Sequence, residues 1–335
     1  MDQIPQHGHD KGWLDRATES ARQAEIRNPD RAEVHRIAGL LNKTRGWYEQ
    51  AVAEYLRAIE LDPANGDAFR FLGDAYLSDN QFEKAEAVFL KAIELDPRQY
   101  KNFRSLGFLY YKRGNYDAAA TYFRQAVALA PDEPRIHFSL STALSNLGQF
   151  EAAENELRWS IRLQETPVAL HALGLVLMMQ GKDRKAIPYI SKALEIGPEE
   201  YLWWMNLGTA CRRAGLKSRS NEAYRKGFDM AEAEMIRAPR SGTVRAYVAY
   251  LAAQLRDRRR AESEIAEALE LSPNDSDTRW AAATTYEALG RRGDALSVLA
   301  ASPAGVLKEL RHWPDVADLC QDSRFLQLLA SKAEK

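Results

Sequence analysis

Residues 66–99 read GDAFRFLGDAYLSDNQFEKAEAVFLKAIELDPRQ. The chain says nearly the same thing just before, from Ala32 to Asn65, and again just after, from Tyr100 to Glu133. Pro29, Pro63, Pro97 and Pro131 stand 34 residues apart, as do Gly39, Gly73 and Gly107, and Ala24, Ala58, Ala92 and Ala126. A period of 34 marks a two-helix unit that buries its apolar face only by stacking on its neighbours. In the quoted copy, Asp67 to Asp79 predicts one helix, with Phe69, Leu72, Ala75 and Tyr76 on the buried side. Asn80-Gln81 is the turn. Phe82 to Leu95 predicts the second helix, burying Phe82, Ala85, Phe89, Ala92 and Ile93. Asp96-Pro97 ends it, because the residue before a proline is pushed out of the α region. Gly73 and Ala85 are small where the two helices cross.

Working outward, residues 1–10 read as a polar tail. Its His7-Gly8-His9-Asp10 has metal-ligand chemistry but no further ligands, so no metal is expected. Residues 11–31 read as a half repeat, the sign of an array that continues upstream or of a cap helix. Units one to six occupy 32–238. Unit four has Ser141 in place of the glycine and is one residue short, and unit five is regular again, through Leu173-Gly174, Ala186, Ala193 and Pro198. The second helix of unit six runs on to Ala238, and Pro239-Arg240-Ser241-Gly242 marks a hinge or subdomain boundary. Units seven and eight fill 239–303, and 304–335 read as a helical cap over the last exposed repeat face.

Composition narrows the function. Of 335 residues, 45% are hydrophobic and 28% charged, with a formal net charge of −1. Mean hydropathy is −0.47 and the pI about 6.6. No apolar run approaches the ~20 residues that span a bilayer, and Met1 to Lys11 has no signal-peptide core. The expected compartment is the cytoplasm. No global field points to nucleic acid. Cys211 and Cys320 lack any metal-site spacing. No nucleotide-binding, nucleophile-elbow or zinc-protease motif occurs. His35 and His137 fall where Phe69, Phe103 and Trp204 stand in other units, which makes them packing residues rather than bases. No catalytic residue, cofactor or small-molecule substrate is expected.

The repeat resembles the tetratricopeptide repeat. The resemblance rests on Leu72-Gly73, Tyr76, Ala85, Phe89, Ala92 and Pro97, and on Leu106-Gly107, Tyr110, Ala119, Phe123, Ala126 and Pro131. Ala38-Gly39, Ala51, Tyr55, Ala58 and Pro63 match in the same register. It implies an all-α fold: an α-solenoid of tandem helix-turn-helix units in a right-handed superhelix. In that family the first helices line a concave groove that holds protein segments. The family's groove positions fall on Arg36, Arg70 and Arg104, a ladder of guanidinium groups 34 residues apart. Lys43, Lys101, Lys112 and Arg135 join them, with Phe108, Tyr111 and Phe138 interleaved and Asn146 beyond. Farther on, the groove positions carry His171, Met178, Met205 and Arg212. The lysine and asparagine positions of the family's chaperone-tail clamp are not reproduced.

These positions predict a peptide partner that is acidic against units one to four and apolar against units five and six. The alternative for the arginines is internal pairing with Glu33, Asp67 and Asp74. The alternative for the methionines is ordinary core. Two further readings stand beside the scaffold: self-association through the groove or Trp203-Trp204, and a regulatory region of a larger bacterial signalling protein. The latter draws on Asp322-Ser323-Arg324-Phe325 and Leu328-Leu329, similar to tails that close such regions in receptor-type kinases and transcriptional regulators.

Overall fold

The computed structural model of the chain describes residues 11–197 and 200–333. The His7-Gly8-His9-Asp10 cluster, the 1–10 tail and Pro198 lie outside the described residues. Helices α1 (Lys11–Arg27), α2 (Ala32–Thr44), α3 (Tyr48–Leu61), α4 (Gly66–Ser78), α5 (Phe82–Leu95), α6 (Tyr100–Lys112) and α7 (Tyr116–Leu129) follow in order. Next come α8 (Pro134–Asn146), α9 (Phe150–Leu163), α10 (Pro167–Met179), α11 (Asp183–Ile196), α12 (Tyr201–Arg213), α13 (Lys217–Arg237) and α14 (Gly242–Gln254). The series closes with α15 (Arg258–Leu271), α16 (Ser276–Ala288), α17 (Arg292–Ala300), α18 (Ala304–Leu310), a 3₁₀ turn at Pro314–Val316, α19 (Ala317–Cys320) and α20 (Ser323–Ala333). No strand occurs among the described residues. The fold is an all-α solenoid of stacked helix pairs, and none of these helices is long and apolar enough to cross a membrane.

Two compact units divide at residues 143 and 144, within α8. In the first, α2, α4 and α6 pack in sequence against one another as well as on their own partners α3, α5 and α7. First helices therefore form an inner face and second helices an outer one. In the second unit α10 packs on α12 and α14 on α16 in the same way.

What sets the pair geometry is a glycine under an aromatic ring. A Cβ at Gly73 would stand 2.5 Å from Phe89 Cε1, and one at Gly39 or Gly107 would stand 2.7 Å from Tyr55 or Phe123. Phe89, Tyr55 and Phe123 are buried, so the ring has nowhere to go. The turn after each first helix is equally regular. Gly46, Gly114, Gly148, Gly181, Gly215 and Gly290 all take a left-handed φ there, with Asn80 and Arg256 in the same role. That conformation closes a helix by returning an N–H to a carbonyl of the last turn. The Asn115 N–H reaches Tyr110 O at 2.9 Å, and Asn115 Oδ1 then accepts from the Ala118 N–H to start α7.

The irregular parts have physical causes. α13 has 21 residues where α11 has 14. The extra residues amount to about two turns, so the buried face stays in phase and carries Ala231 and Met235 onto Val244, Val248 and Leu251. That packing joins α13 to α14 across the exposed Pro239, and the chain divides into compact units at residues 143 and 144. His35 and His137 are buried as packing residues, but by hydrogen bonds: Nε2 of each lies 2.8 Å from the carbonyl oxygen of Pro29 or Pro131 at the preceding repeat boundary. Trp203 is core, and Trp204 is half-buried with Lys226 Nζ 4.6 Å above its ring.

Gly73→Ala sets two effects against each other. Alanine favours the helix by about 1 kcal/mol, whereas overpacking against Phe89 costs about 1–3 kcal/mol. Urea titration of the chain should show net destabilisation, relieved in part when Gly73→Ala is combined with Phe89→Leu. A stabilised Gly73→Ala would mean that the helices do not meet at this limit.

Candidate functional site

The ladder of arginines divides on inspection of its partners. Arg36 Nη2 lies 3.2 Å from Glu33 Oε1, and its guanidinium stands 5.4 Å from the centroid of the Phe71 ring. Arg70 is deeper, with a side chain only 9% exposed. Its guanidinium is 2.8 Å from Asp67 Oδ1, 3.6 Å from Asp74 Oδ2, and 4.3 Å from the Phe71 ring centroid. These spacings of three and four residues put each arginine beside a carboxylate of its own helix. Two rungs of the ladder are thus internally paired. Arg104 makes no ion pair among the described residues.

Arg104 instead lines a cavity of about 290 Å³ with Lys43, Asp74, Ser105, Phe108 and Lys112. Lys43 is partly buried, Lys112 is exposed, and neither makes an ion pair among the described residues. Phe108 is 48% exposed and stacks on Tyr111 with ring centroids 6.4 Å apart. Asp74 is the cavity's one carboxylate. Burial pushes its carboxyl above the usual range, while Lys43, Arg70, the hydroxyl of Ser105 and Arg104 pull the other way. Ser105 Oγ donates to Asp74 Oδ1 at 3.2 Å. The cavity therefore holds three cations and an aromatic face around one partly shielded anion. Lys101 and Arg135 are exposed on the same unit, Lys101 Nζ 5.9 Å from the Tyr100 ring centroid. Phe138 is partly buried, and Asn146 is an exposed residue of the second unit.

The apolar wall expected farther along is not on the surface. Met178 is fully buried and Met205 is 4% exposed; both are core because the inner helices α10 and α12 turn them into the pair interface. His171 stacks on Trp203 with centroids 4.7 Å apart, and Asn206 Nδ2 lies 3.1 Å from its Nε2. Desolvation lowers its pKa to about 4, so the ring is neutral at pH 7, with an acceptor at Nε2 and a donor at Nδ1.

Arg212 does face the inner side, and its partner comes from the far end of the chain. Asp315 Oδ1 lies 2.7 Å from Arg212 Nη2. Arg213 Nη2 is 3.1 Å from Asp183 Oδ2. It also donates to the Met178 carbonyl at 2.9 Å. Burial weakens the hold of Arg212 on its proton, but the neighbouring Asp315 carboxylate more than restores it. Arg212 Nε also donates to Tyr224 OH at 3.4 Å, which meets Thr209 Oγ1 at 3.1 Å. Asp315, Trp313 and Asp183 were not legible as site residues. Nothing in the local sequence Trp313-Pro314-Asp315 says that it returns to α12. The cap covers the last pair, since α18 meets α16 and α20 meets α17. It also reaches well past them.

Profiles of the tetratricopeptide repeat match residues 72–139, 110–173, and 43–100 with 171–230. Together they run without a gap from 43 to 230, more than half of the 335 residues. No curated protein matches the chain in sequence. Among solved structures, a chain of the APC/C hetero-tetramer Cut9-Hcn1 aligns with a TM-score of 0.59 at 19% identity, over 83% of this chain and 52% of that one. Pseudomonas aeruginosa pilF aligns at 0.52 and 18% identity, over 64% and 91%. A tetratricopeptide repeat protein from Parabacteroides merdae ATCC 43184 aligns at 0.50 and 19%, over 66% and 88%. At these identities the likeness is one of fold.

His171 gives a signed pH dependence. Its folded pKa lies below its ordinary value of 6.5, so the unfolded chain takes the proton first. The stability it contributes is complete above pH 6.5, falls as pH drops toward about 4, and is constant below. The full effect is roughly 2–3 kcal/mol after allowance for partial solvent access to the ring. Denaturant titrations from pH 7 to 4 should show the wild type losing more stability than His171→Gln. Parallel curves would show that the ring is not neutral and buried.

Proposed function

The chain belongs to the tetratricopeptide-repeat family, whose members are generally protein-interaction scaffolds, and we propose that its first unit is a non-catalytic scaffold for an extended acidic peptide. One observation carries this reading: Lys43, Arg104 and Lys112 line a single cavity without ion pairs of their own among the described residues, beside the exposed ring of Phe108. A guanidinium accepts a carboxylate through two parallel hydrogen bonds, and the aromatic face takes an apolar side chain. The ligand is thus acidic, with one apolar residue seated against the exposed ring of Phe108.

Asp74 tunes the site rather than cancelling it. It is already engaged by Arg70 and Ser105, and it holds the three cations in a cluster whose mutual repulsion would otherwise disperse them. An incoming carboxylate relieves the residual positive charge. Arg36 and Arg70 do not line the cavity; each is held by a carboxylate of its own helix and by the Phe71 ring.

A short labelled peptide of Glu and Asp around a central Phe provides the test, by fluorescence anisotropy on the full chain. Charge reversal at the free cations, Arg104→Glu with Lys112→Glu, should weaken binding by at least about tenfold, since like charges then face each other. Arg36→Glu should have a smaller effect. Affinity should fall as salt rises, as expected for partly exposed charges. If the double variant keeps its helical circular dichroism and binds the peptide as the wild type does, the cavity is not the site.

A further inference from the structure

In the second unit an inner-face arrangement is already filled by the chain itself. The segment from Arg311 to Val316, between α18 and α19, reaches two first helices, α12 and α16, and the start of α9. Asp315 reaches Arg212 at 2.7 Å and Arg213 Nε at 3.9 Å, both on α12. Trp313 meets Trp280 of α16 edge-on, with centroids 5.7 Å apart. His312 meets Phe150 at the start of α9, with centroids 5.4 Å apart. A cap needs only to cover the last helix pair. Covering α16 and α17 does not require reaching α12 and α9.

Asp315 Oδ2 and Trp313 Nε1 of the segment, and Arg213 Nη1 and Asp183 Oδ1 of the helices, are buried with no hydrogen-bond partner among the described residues. Beside Asp315 opens a cavity of about 680 Å³. Lys217 and Arg256 line it and make no ion pair among the described residues. Arg256 takes a φ of 66° at the turn where six sibling units have glycine. A long cation is kept at a backbone conformation that disfavours it. The elements that anchor the segment are a helix of 7 residues, a 3₁₀ turn of 3 and a helix of 4, each too short to hold its shape unaided.

We infer that the inner face of the second unit is a binding site for an extended peptide with an aromatic residue two positions before a carboxylate and further acid downstream, and that residues 311–316 are its built-in competitor. The partner's carboxylate takes the place of Asp315 on Arg212 and Arg213. Its aromatic residue takes the place of Trp313 on Trp280. Its downstream acid reaches Lys217 and Arg256, which the chain's own segment leaves unmatched. This site uses other residues, in another unit, than the cationic cavity around Arg104, so the two stand or fall separately.

The test uses the full chain and a labelled peptide of sequence ELRHWPDVAD, residues 309–318. The wild type should bind it weakly, because the tethered copy competes at a high effective concentration. Trp313→Ala with Asp315→Ser should bind it at least about tenfold more tightly, and adding Arg212→Glu should abolish that gain. Equal affinity for wild type and double variant, or binding indifferent to Arg212→Glu, overturns the proposal. Should the double variant lose its helical structure, hydrogen exchange on the wild type decides. Saturating peptide should speed exchange across 311–320 while leaving α17 unchanged, and an unchanged segment overturns the proposal.

Discussion

The close crossing of two helices at a glycine is the constraint on which the rest of the chain depends. With Gly39, Gly73, Gly107 and Gly208 seated under Tyr55, Phe89, Phe123 and Tyr224, each first helix is pressed against its partner. Packing that close fixes which side chains remain for the neighbouring pair and which turn inward. It also explains why substitutions elsewhere in the unit are tolerated in kind. Tyr, Phe and Ile all serve as the covering residue, Ile190 doing so over Gly174, because the requirement is buried volume over a bare Cα, not a particular ring. A solenoid propagates this local rule, so each unit inherits its orientation from the one before.

The same rule decides what sequence reasoning reaches. Periodic features are legible because each copy repeats the same local physics: the glycines, the alanines, the prolines at the boundaries. The left-handed turn residues repeat for the same reason, and they are visible as Gly46, Gly114, Gly148, Gly181, Gly215 and Gly290. Arg36, Arg70 and Arg104 repeat with equal fidelity, yet their surroundings differ. Glu33 and Asp67 stand three residues before the first two, while Lys101 stands three before the third. That contrast lies in the sequence itself. It separates paired rungs from a free one, and reading the ladder as a single period obscures it. Met178 and Met205 show the opposite limit. A pattern that places them on the inner helix does not say how far that helix is rolled, and a small roll takes a side chain from surface to core.

Contacts between distant parts of the chain follow no period and leave no local trace. α13 is long by about two turns, and only the packing of Ala231 and Met235 on Val244 and Val248 shows that it joins α14 in one core. The segment around Asp315 is the stronger case. Its residues look like a turn between short helices, and they are that, but the turn is folded against α12. Arg213 is largely buried and Arg212 only half so, and a partly desolvated guanidinium is stabilised by a carboxylate beside it. The nearest carboxylate able to reach Arg212 happens to lie in the cap.

Both inner faces thus handle the same problem, a set of cations gathered on neighbouring helices, in different ways. In the first unit the neutralising carboxylate is Asp74, on the helix that carries Arg70, so it is fixed by the fold and moves only if the helix does. In the second unit Asp315 is delivered by a separate segment held by short elements. A fixed anion adjusts the charge of a site permanently. A tethered anion adjusts it only while the tether stays down, and the cost of lifting it is set by weak local structure rather than by the core. Under the reading proposed for each face, the first would bind with an affinity that salt and sequence alone determine. The second would bind only what can displace a copy already present. That difference follows from where each carboxylate is attached, and it requires no difference between the cations themselves.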